Sequence, residues 1–211
     1  MYKTDFTGII NYGLGNVKSV FNAVVKVGGH PILSSGINEL SLCKRLVLPG
    51  VGAFPHAMEL LHSLKLCEFI KSYAAEKNPI LGICLGMQLF CQKSNEFSNT
   101  EGLGLMLGES HSFNDISRSE SPRLPHVGWA KIKIKNYFDD PILTGLRSSD
   151  KFYFVHSYCL SAHNDHCLAS SIYNNLEFSS VVKSGLVYGT QFHPEKSGRP
   201  GLMLLKNFIT L

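Results

Sequence analysis

Two stretches of the sequence hold residues whose types and spacing can do chemistry. In the first, PILGICLGMQLF (Pro79 to Phe90), the apolar residues Ile80, Leu81 and Ile83 run into Cys84, which Gly82 and Gly86 flank. Leu85 to Phe90 continues in a helical pattern, so the stretch predicts a strand, a sharp turn and a helix. Gly82-Ile83-Cys84-Leu85-Gly86 has the form of a nucleophile elbow, in which small residues let strand and helix pass closely while the nucleophile holds a strained backbone. Cys84 would then stand at the carboxyl end of the strand, beside the unpaired N–H groups and the positive dipole end of the helix. Both favour a thiolate, and the N–H groups are donors for an oxyanion. A buried structural cysteine in a glycine-rich core turn would leave the same spacing, so this stretch alone does not decide.

The second stretch is GTQFHPEKS (Gly189 to Ser197). A strand containing Val187, Tyr188, Gln191 and Phe192 delivers His193, and Pro194 ends the strand so that Glu195 can follow. A thiol nucleophile needs a base, and an imidazole needs an acidic partner on its other nitrogen to fix its tautomer. His193 and Glu195 suit those two roles. By itself the pair would be an exposed turn histidine beside a solvated glutamate, but together with the elbow it completes a Cys-His-Glu triad.

A competing cluster, His156, Cys159, His163, His166 and Cys167, is dense enough to suggest zinc. Cys159 and His163 fall on opposite sides of a predicted turn, Ser161 to Asp165, and no second cluster completes four ligands. The sequence therefore calls for no metal and no cofactor. His156 is expected to pack beneath the site, His163 and His166 to lie in solvent, and His126 and Trp129 to belong to the core.

Positioning these residues falls to alternating strands and helices. Thr7 to Asn11 reads as a first strand, followed by the turn YGLGN (Tyr12 to Asn16). Val17, Val20, Phe21, Val24 and Val25 then mark one apolar helix face that Gly28-Gly29 ends. Gly13 and Gly15 invite a dinucleotide-binding reading, which fails because the third glycine position holds Lys18. Pro31 to Leu33 and Arg45 to Leu48 are further strands, the latter closed by PGVGAF (Pro49 to Phe54), and Pro55 to Leu64 and Leu66 to Glu76 are helical. This alternation predicts an α/β fold with an open, mostly parallel, flavodoxin-like sheet flanked by helices. Its ligand site would lie at the carboxyl ends of the strands. The second half is β-rich. Gly102 to Gly108, Gly128 to Lys135, Phe152 to Leu160, Cys167 to Tyr173, Phe178 to Lys183 and Leu186 to Phe192 read as antiparallel hairpins added to that core. Phe113 to Pro125 reads as a loop, and Gly201 to Leu211 as a closing helix.

With 211 residues and 44% apolar content, one domain over residues 1–211 is the expectation. The formal charge of +4 is small and its lysines and arginines are scattered, so nucleic acid is not an expected partner. Lys131, Lys133 and Lys135 alternate with Ile132 and Ile134 as the solvent face of a strand. Six cysteines without a C-x-x-C pair suit a reducing compartment. No basic region leads an apolar run at the N-terminus, and no stretch reaches about 18 consecutive apolar residues. A soluble cytoplasmic protein without a membrane partner is expected.

PGVGAF, GICLGMQLF, PHVGW, FYFVHSY and QFHPEKS occur in this order along nearly the whole chain. The set resembles the class I glutamine amidotransferases, and most closely the glutaminase subunits of imidazole glycerol phosphate synthase. The resemblance implies that Cys84 attacks the side-chain amide of glutamine, that His193 held by Glu195 moves the protons, and that the amides of Val51 and Leu85 form the oxyanion hole. It assigns Gly52, Gln88, Ser157 and Tyr158 to glutamine's amino-acid end. Such glutaminases pass their ammonia to a (β/α)8 cyclase in histidine biosynthesis. A barrel of about 250 residues does not fit in this chain, so a separate cyclase subunit forming a heterodimer is implied, with Asn16, Tyr153 and Lys196 facing it. Asn11 and Ala130 depart from the commoner Asp and Asn of the family and leave the glutaminase chemistry intact. Two alternatives stay open at this point: a paralogue feeding ammonia to a sugar amidotransferase of surface-polysaccharide synthesis, and a cysteine hydrolase of γ-glutamyl amides. A non-catalytic module on the same fold would have no chemical reason to keep all three triad residues.

Overall fold

The computed structural model describes residues 3–117, 122–135 and 140–211. Its first half alternates as expected, with one short helix, α2, beyond the expected elements: β1 (Thr4–Ile10), α1 (Val17–Lys26), β2 (His30–Ser34), α2 (Ile37–Ser41), β3 (Cys43–Gly50), α3 (Phe54–Ser63), α4 (Leu66–Ala75), β4 (Ile80–Cys84) and α5 (Leu85–Gln88). The second half adds β5 (Lys93–Ser94), β6 (Thr100–Glu101), β7 (Glu109–Ser112), α6 (Phe113–Ile116), β8 (His126–Lys131), β9 (Lys133–Ile134), β10 (Lys151–His156) and β11 (Tyr158–Leu160). Then follow β12 (Cys167–Tyr173), β13 (Leu176–Ser184), β14 (Val187–Thr190) and α7 (Gly198–Ile209).

The main sheet has eight strands in the order β2-β1-β3-β4-β14-β13-β12-β9. From β2 to β14 every neighbouring pair is parallel; β13, β12 and β9 extend the sheet antiparallel. Along the central strands alternate side chains enter opposite apolar clusters. Leu46 and Leu48 of β3 join Phe54, Leu61 and Ile70 of α3 and α4 on one face. Val47 joins Val20 and Val24 of α1 and Leu204 and Phe208 of α7 on the other. A sheet buried on both faces is what the near-continuous apolar runs in β3 and β4 dictate. No helix among the described residues is long and apolar enough to cross a membrane.

Several expected strands are broken. Phe152 to Leu160 divides at Ser157 into β10, which pairs with β8 in a two-stranded ribbon, and β11, which joins a four-stranded sheet with β7, β5 and β6. Gly128 to Lys135 divides likewise between β8 and β9, with Ile132 buried between exposed Lys131 and Lys133. Gly102 to Gly108 is not a strand. Its N–H groups instead cap the turn after α5: Leu103 N–H donates to Leu89 O, Gly104 to Cys91 O, and Leu105 and Met106 to Phe90 O. The expected helix through Phe90 therefore stops at Gln88, because the following carbonyls are taken by this loop rather than by a further helical turn. The loop expected from Phe113 begins as the short helix α6, and its residues 118–121 lie outside the described residues. Trp129 is not core. It is 54% exposed on the outer face of the β8–β10 ribbon, 5.8 Å from the Tyr153 ring, while His126 on the inner face is buried.

Candidate active site

β4 delivers Cys84 between β3 and β14, opposite Gly50 of β3. Cys84 has φ 55° and ψ −111°, a conformation L-residues rarely adopt, with a cost of about 1–3 kcal/mol. Close packing holds it there. A Cβ on Gly86 would lie 1.9 Å from Leu48 O, and one on Gly82 would lie 2.6 Å from Gly86 O, so only glycine lets α5 rest on β3. The strain is thus imposed by backbone contacts on either side of Cys84.

His193 leads a 3-10 turn, Pro194–Lys196, that follows β14. Its N–H donates to Tyr153 O at 2.9 Å, and the Ser197 hydroxyl donates to its carbonyl, so β10 and α7 fix the turn. Nδ1 lies 2.8 Å from Glu195 Oε1, with both side chains buried. Nε2 has no hydrogen-bond partner among the described residues. Burial pulls the imidazole's pKa down, but Cys84 and Glu195 outweigh it and hold His193 above the ordinary histidine value. A buried imidazole that favours its proton, between a sulfur and a carboxylate, has the chemistry to carry a proton.

A cavity of about 270 Å³ opens in front of the sulfur, near the lower end of ligand-pocket sizes. Cys84, Val51, Leu85, Gly52, Gln88, Ser157 and Tyr158 all line it, so the structure gathers the sequence's nucleophile, oxyanion and substrate candidates in one place. His193 and Glu195 stand behind the sulfur rather than in the cavity wall. Asn16, Tyr153 and Lys196 lie outside it. Asn16 caps α1 by accepting from Ser19 N–H, and Lys196 Nζ sits 5.8 Å from the centre of the Tyr153 ring.

Four cavity residues were not singled out as substrate groups: Glu96, Pro125, Val155 and His156. Glu96 accepts from the Phe54 N–H at the start of α3 at 2.7 Å, and burial raises its pKa against the lowering by that bond. It sits in a polar loop with no periodicity, so nothing in the sequence marks it. His156 packs beneath the site as expected, donating from Nδ1 to Tyr158 O at 2.8 Å and accepting from His126 at 3.2 Å. Of the zinc cluster, Cys159 is buried in β11 and His163 exposed in the turn. His166 is not a free turn residue: Nδ1 donates to Lys183 O and Nε2 accepts from Leu107 N–H. Among the described residues no group of three His, Cys, Asp or Glu side chains has an arrangement that would hold a metal. Burial raises the pKa of each of the other five thiols, Cys43, Cys67, Cys91, Cys159 and Cys167.

Known proteins resemble this chain in both sequence and fold. A sequence profile described as "Glutamine amidotransferase class-I" matches residues 9–211. The chain is 42% identical over 204 residues to a Geobacillus kaustophilus protein named "Imidazole glycerol phosphate synthase subunit HisH", covering 96% of this chain and 95% of that one. It is 40% identical to the protein of the same name from Methanocaldococcus jannaschii, over 97% of this chain and 98% of that one. Among solved structures, "Crystal structure of glutamine amidotransferase" superposes with a TM-score of 0.74 at 17% identity, covering 97% of this chain and 99% of that one. "Structure of PurLQS from Thermotoga maritima" gives 0.71 at 18%, covering 100% and 99%. A strained cysteine at an elbow, a buried histidine–glutamate pair behind it and a sequence match from residue 9 to residue 211 lead to one conclusion: this chain belongs to the class I glutamine amidotransferases.

Proposed function

We propose that the chain, acting as one glutaminase domain, is the glutamine-hydrolysing subunit of an imidazole glycerol phosphate synthase and supplies ammonia to a cyclase subunit in histidine biosynthesis. The observation that carries this is a strained Cys84 at a cavity of amino-acid size with the buried His193–Glu195 pair beside it, joined to relatives of that name aligned over almost the full chain. Cys84 Sγ attacks the amide carbon of glutamine after its proton has passed to His193. The amides of Val51 and Leu85 receive the charge that develops on the carbonyl oxygen. His193 then gives the proton to the leaving nitrogen, ammonia departs, and a glutamyl thioester remains. Water, deprotonated by His193, opens the thioester and frees glutamate and the thiol. Glu195 holds the imidazole's orientation throughout and offsets its charge.

At the other end of the cavity Gly52, Gln88, Ser157 and Tyr158 hold the amino-acid end of glutamine. The half-buried Glu96 carboxylate, with one oxygen engaged by Phe54 N–H, gives the α-ammonium an anionic partner. Asn16, Tyr153 and Lys196 face a (β/α)8 cyclase in a cytoplasmic heterodimer. Exposed Trp129 and Val127 on the ribbon beside Tyr153 enlarge that face with apolar area of the kind interfaces bury. Assay of glutamine against a γ-glutamyl dipeptide tests the substrate. Glutamine is turned over, the dipeptide is not, and Cys84→Ala removes activity; preferential cleavage of the dipeptide would instead make the chain a γ-glutamyl hydrolase.

A further inference from the structure

Gln191 is fully buried just beyond β14, two residues before His193. Its Nε2 lies 3.7 Å from Cys84 Sγ, within reach of an N–H···S bond. The direction of that amide is fixed by groups that have no choice. Tyr158 O, a carbonyl, can only accept, so Gln88 must present its Nε2 to it, and does so at 2.8 Å. The second hydrogen of the same Nε2 reaches Gln191 Oε1 at 3.0 Å. With its oxygen held there, Gln191 has only its N–H₂ to turn towards the sulfur. His156 Nδ1, which also donates to Tyr158 O, holds the carbonyl at the root of the chain from the other side.

The neutral thiol has a separate partner: the S–H donates to Val155 O at 3.7 Å. Once the proton moves to His193 Nε2 and the electron pair stays on sulfur, that carbonyl becomes an unfavourable neighbour and the N–H of Gln191 a favourable one. Gln191 is itself fully withdrawn from water, so its N–H is held for the sulfur. We propose that Gln191 is a catalytic residue, a donor aimed at Cys84 by Gln88 and the Tyr158 carbonyl, which stabilises the sulfur in its anionic, attacking form. Both hydrogens of the Gln88 amide are committed to this chain, so Gln88 meets glutamine through Oε1 alone.

The proposal rests on Cys84 as the nucleophile, and its test needs neither glutamine nor a partner. The titratable groups facing Cys84 are His193 and Glu195 from the 3-10 turn, Tyr12 from the first loop, His156 from β10 and Glu96 at the cavity wall. The rate of Cys84 carbamidomethylation by iodoacetamide, located by mass spectrometry, is followed against pH for the unaltered chain, Gln191→Met and Gln191→Glu. Met keeps the volume without a donor and Glu places an anion beside the sulfur. At pH 7 the expected order is unaltered, then Met slower by about tenfold, then Glu slower still, with the midpoint of the pH profile moved upward in both. In the unaltered chain the Gln191 side-chain amide resonances shift over the pH range in which Cys84 becomes reactive, and Cys84→Ala leaves them flat. That second measurement decides the matter if the variants do not fold. Equal alkylation profiles in folded variants, or amide resonances indifferent to Cys84, would overturn the proposal. A chain that shows the predicted order yet never hydrolyses glutamine would overturn the function proposed above and leave this role of Gln191 standing.

Discussion

Cys84 occupies a backbone conformation that glycine would adopt without strain, and under the proposed function its side chain is kept for chemistry rather than for stability. Cys84→Gly is therefore expected to be more stable than Cys84→Ala by about 1 kcal/mol, since the two lose the same sulfur and differ in the strained Cβ. Denaturant unfolding of the two inactive variants checks this; equal midpoints would mean that the elbow stores no strain. The candidate triad was legible in the sequence for a physical reason. A nucleophile at an elbow needs glycines at fixed offsets, and a histidine with a carboxylate two residues away needs a strand end, so Cys84, His193 and Glu195 left local patterns. Glu96 and Gln191 did not. Glu96 enters the cavity from a loop, and Gln191 counted only as one residue of the strand that delivers His193. Its partner Gln88 lies far away in the chain, and the only local hint was an amide within an otherwise apolar run.

At the scale of elements, the elbow depends on the contact of α5 with β3. Gly86→Ala places a Cβ 1.9 Å from the Leu48 carbonyl, where backbone rather than a flexible side chain must yield. A loss of more than about 3 kcal/mol is expected, at the upper end for a single substitution, measured by equilibrium unfolding; a change under 1 kcal/mol would show that α5 can shift. Under the cavity, His126 and His156 lie between Phe113, Phe154 and Phe178, and burial holds them neutral, at about 4 and about 3. The unfolded chain takes up protons on both near 6.5 and the folded chain does not, so stability falls as pH drops from about 6.5 towards 4. Thermal midpoints across that range should decline, and less steeply in His126→Phe; an unchanged slope would contradict the assignment. The parallel half was readable because each strand and helix satisfies its own periodicity. The β-rich half was not, because the break at Ser157 and the capping loop from Gly102 to Gly108 are decided by partners distant in sequence.

Over the whole molecule, the strand ends that carry Cys84 and the turn that carries His193 converge on one edge of the sheet, and the β8–β10 ribbon stands beside them with Trp129, Val127 and Tyr153 turned outward. Ammonia is a small neutral molecule that bulk water would protonate, so a hydrolytic site serving a synthase is best sealed by the subunit that uses the product. As proposed above, the chain is the glutaminase half of a two-subunit synthase. The most direct measurement is glutamine hydrolysis by the purified chain alone, and then with the cyclase of the same organism and its phosphoribulosyl substrate. Slow hydrolysis by the isolated chain and strong stimulation by the cyclase and its substrate are expected. Unchanged turnover on adding them, with Cys84 still labelled by a glutamine-analogue electrophile, would contradict the claim and leave a glutaminase whose acceptor is a different synthase.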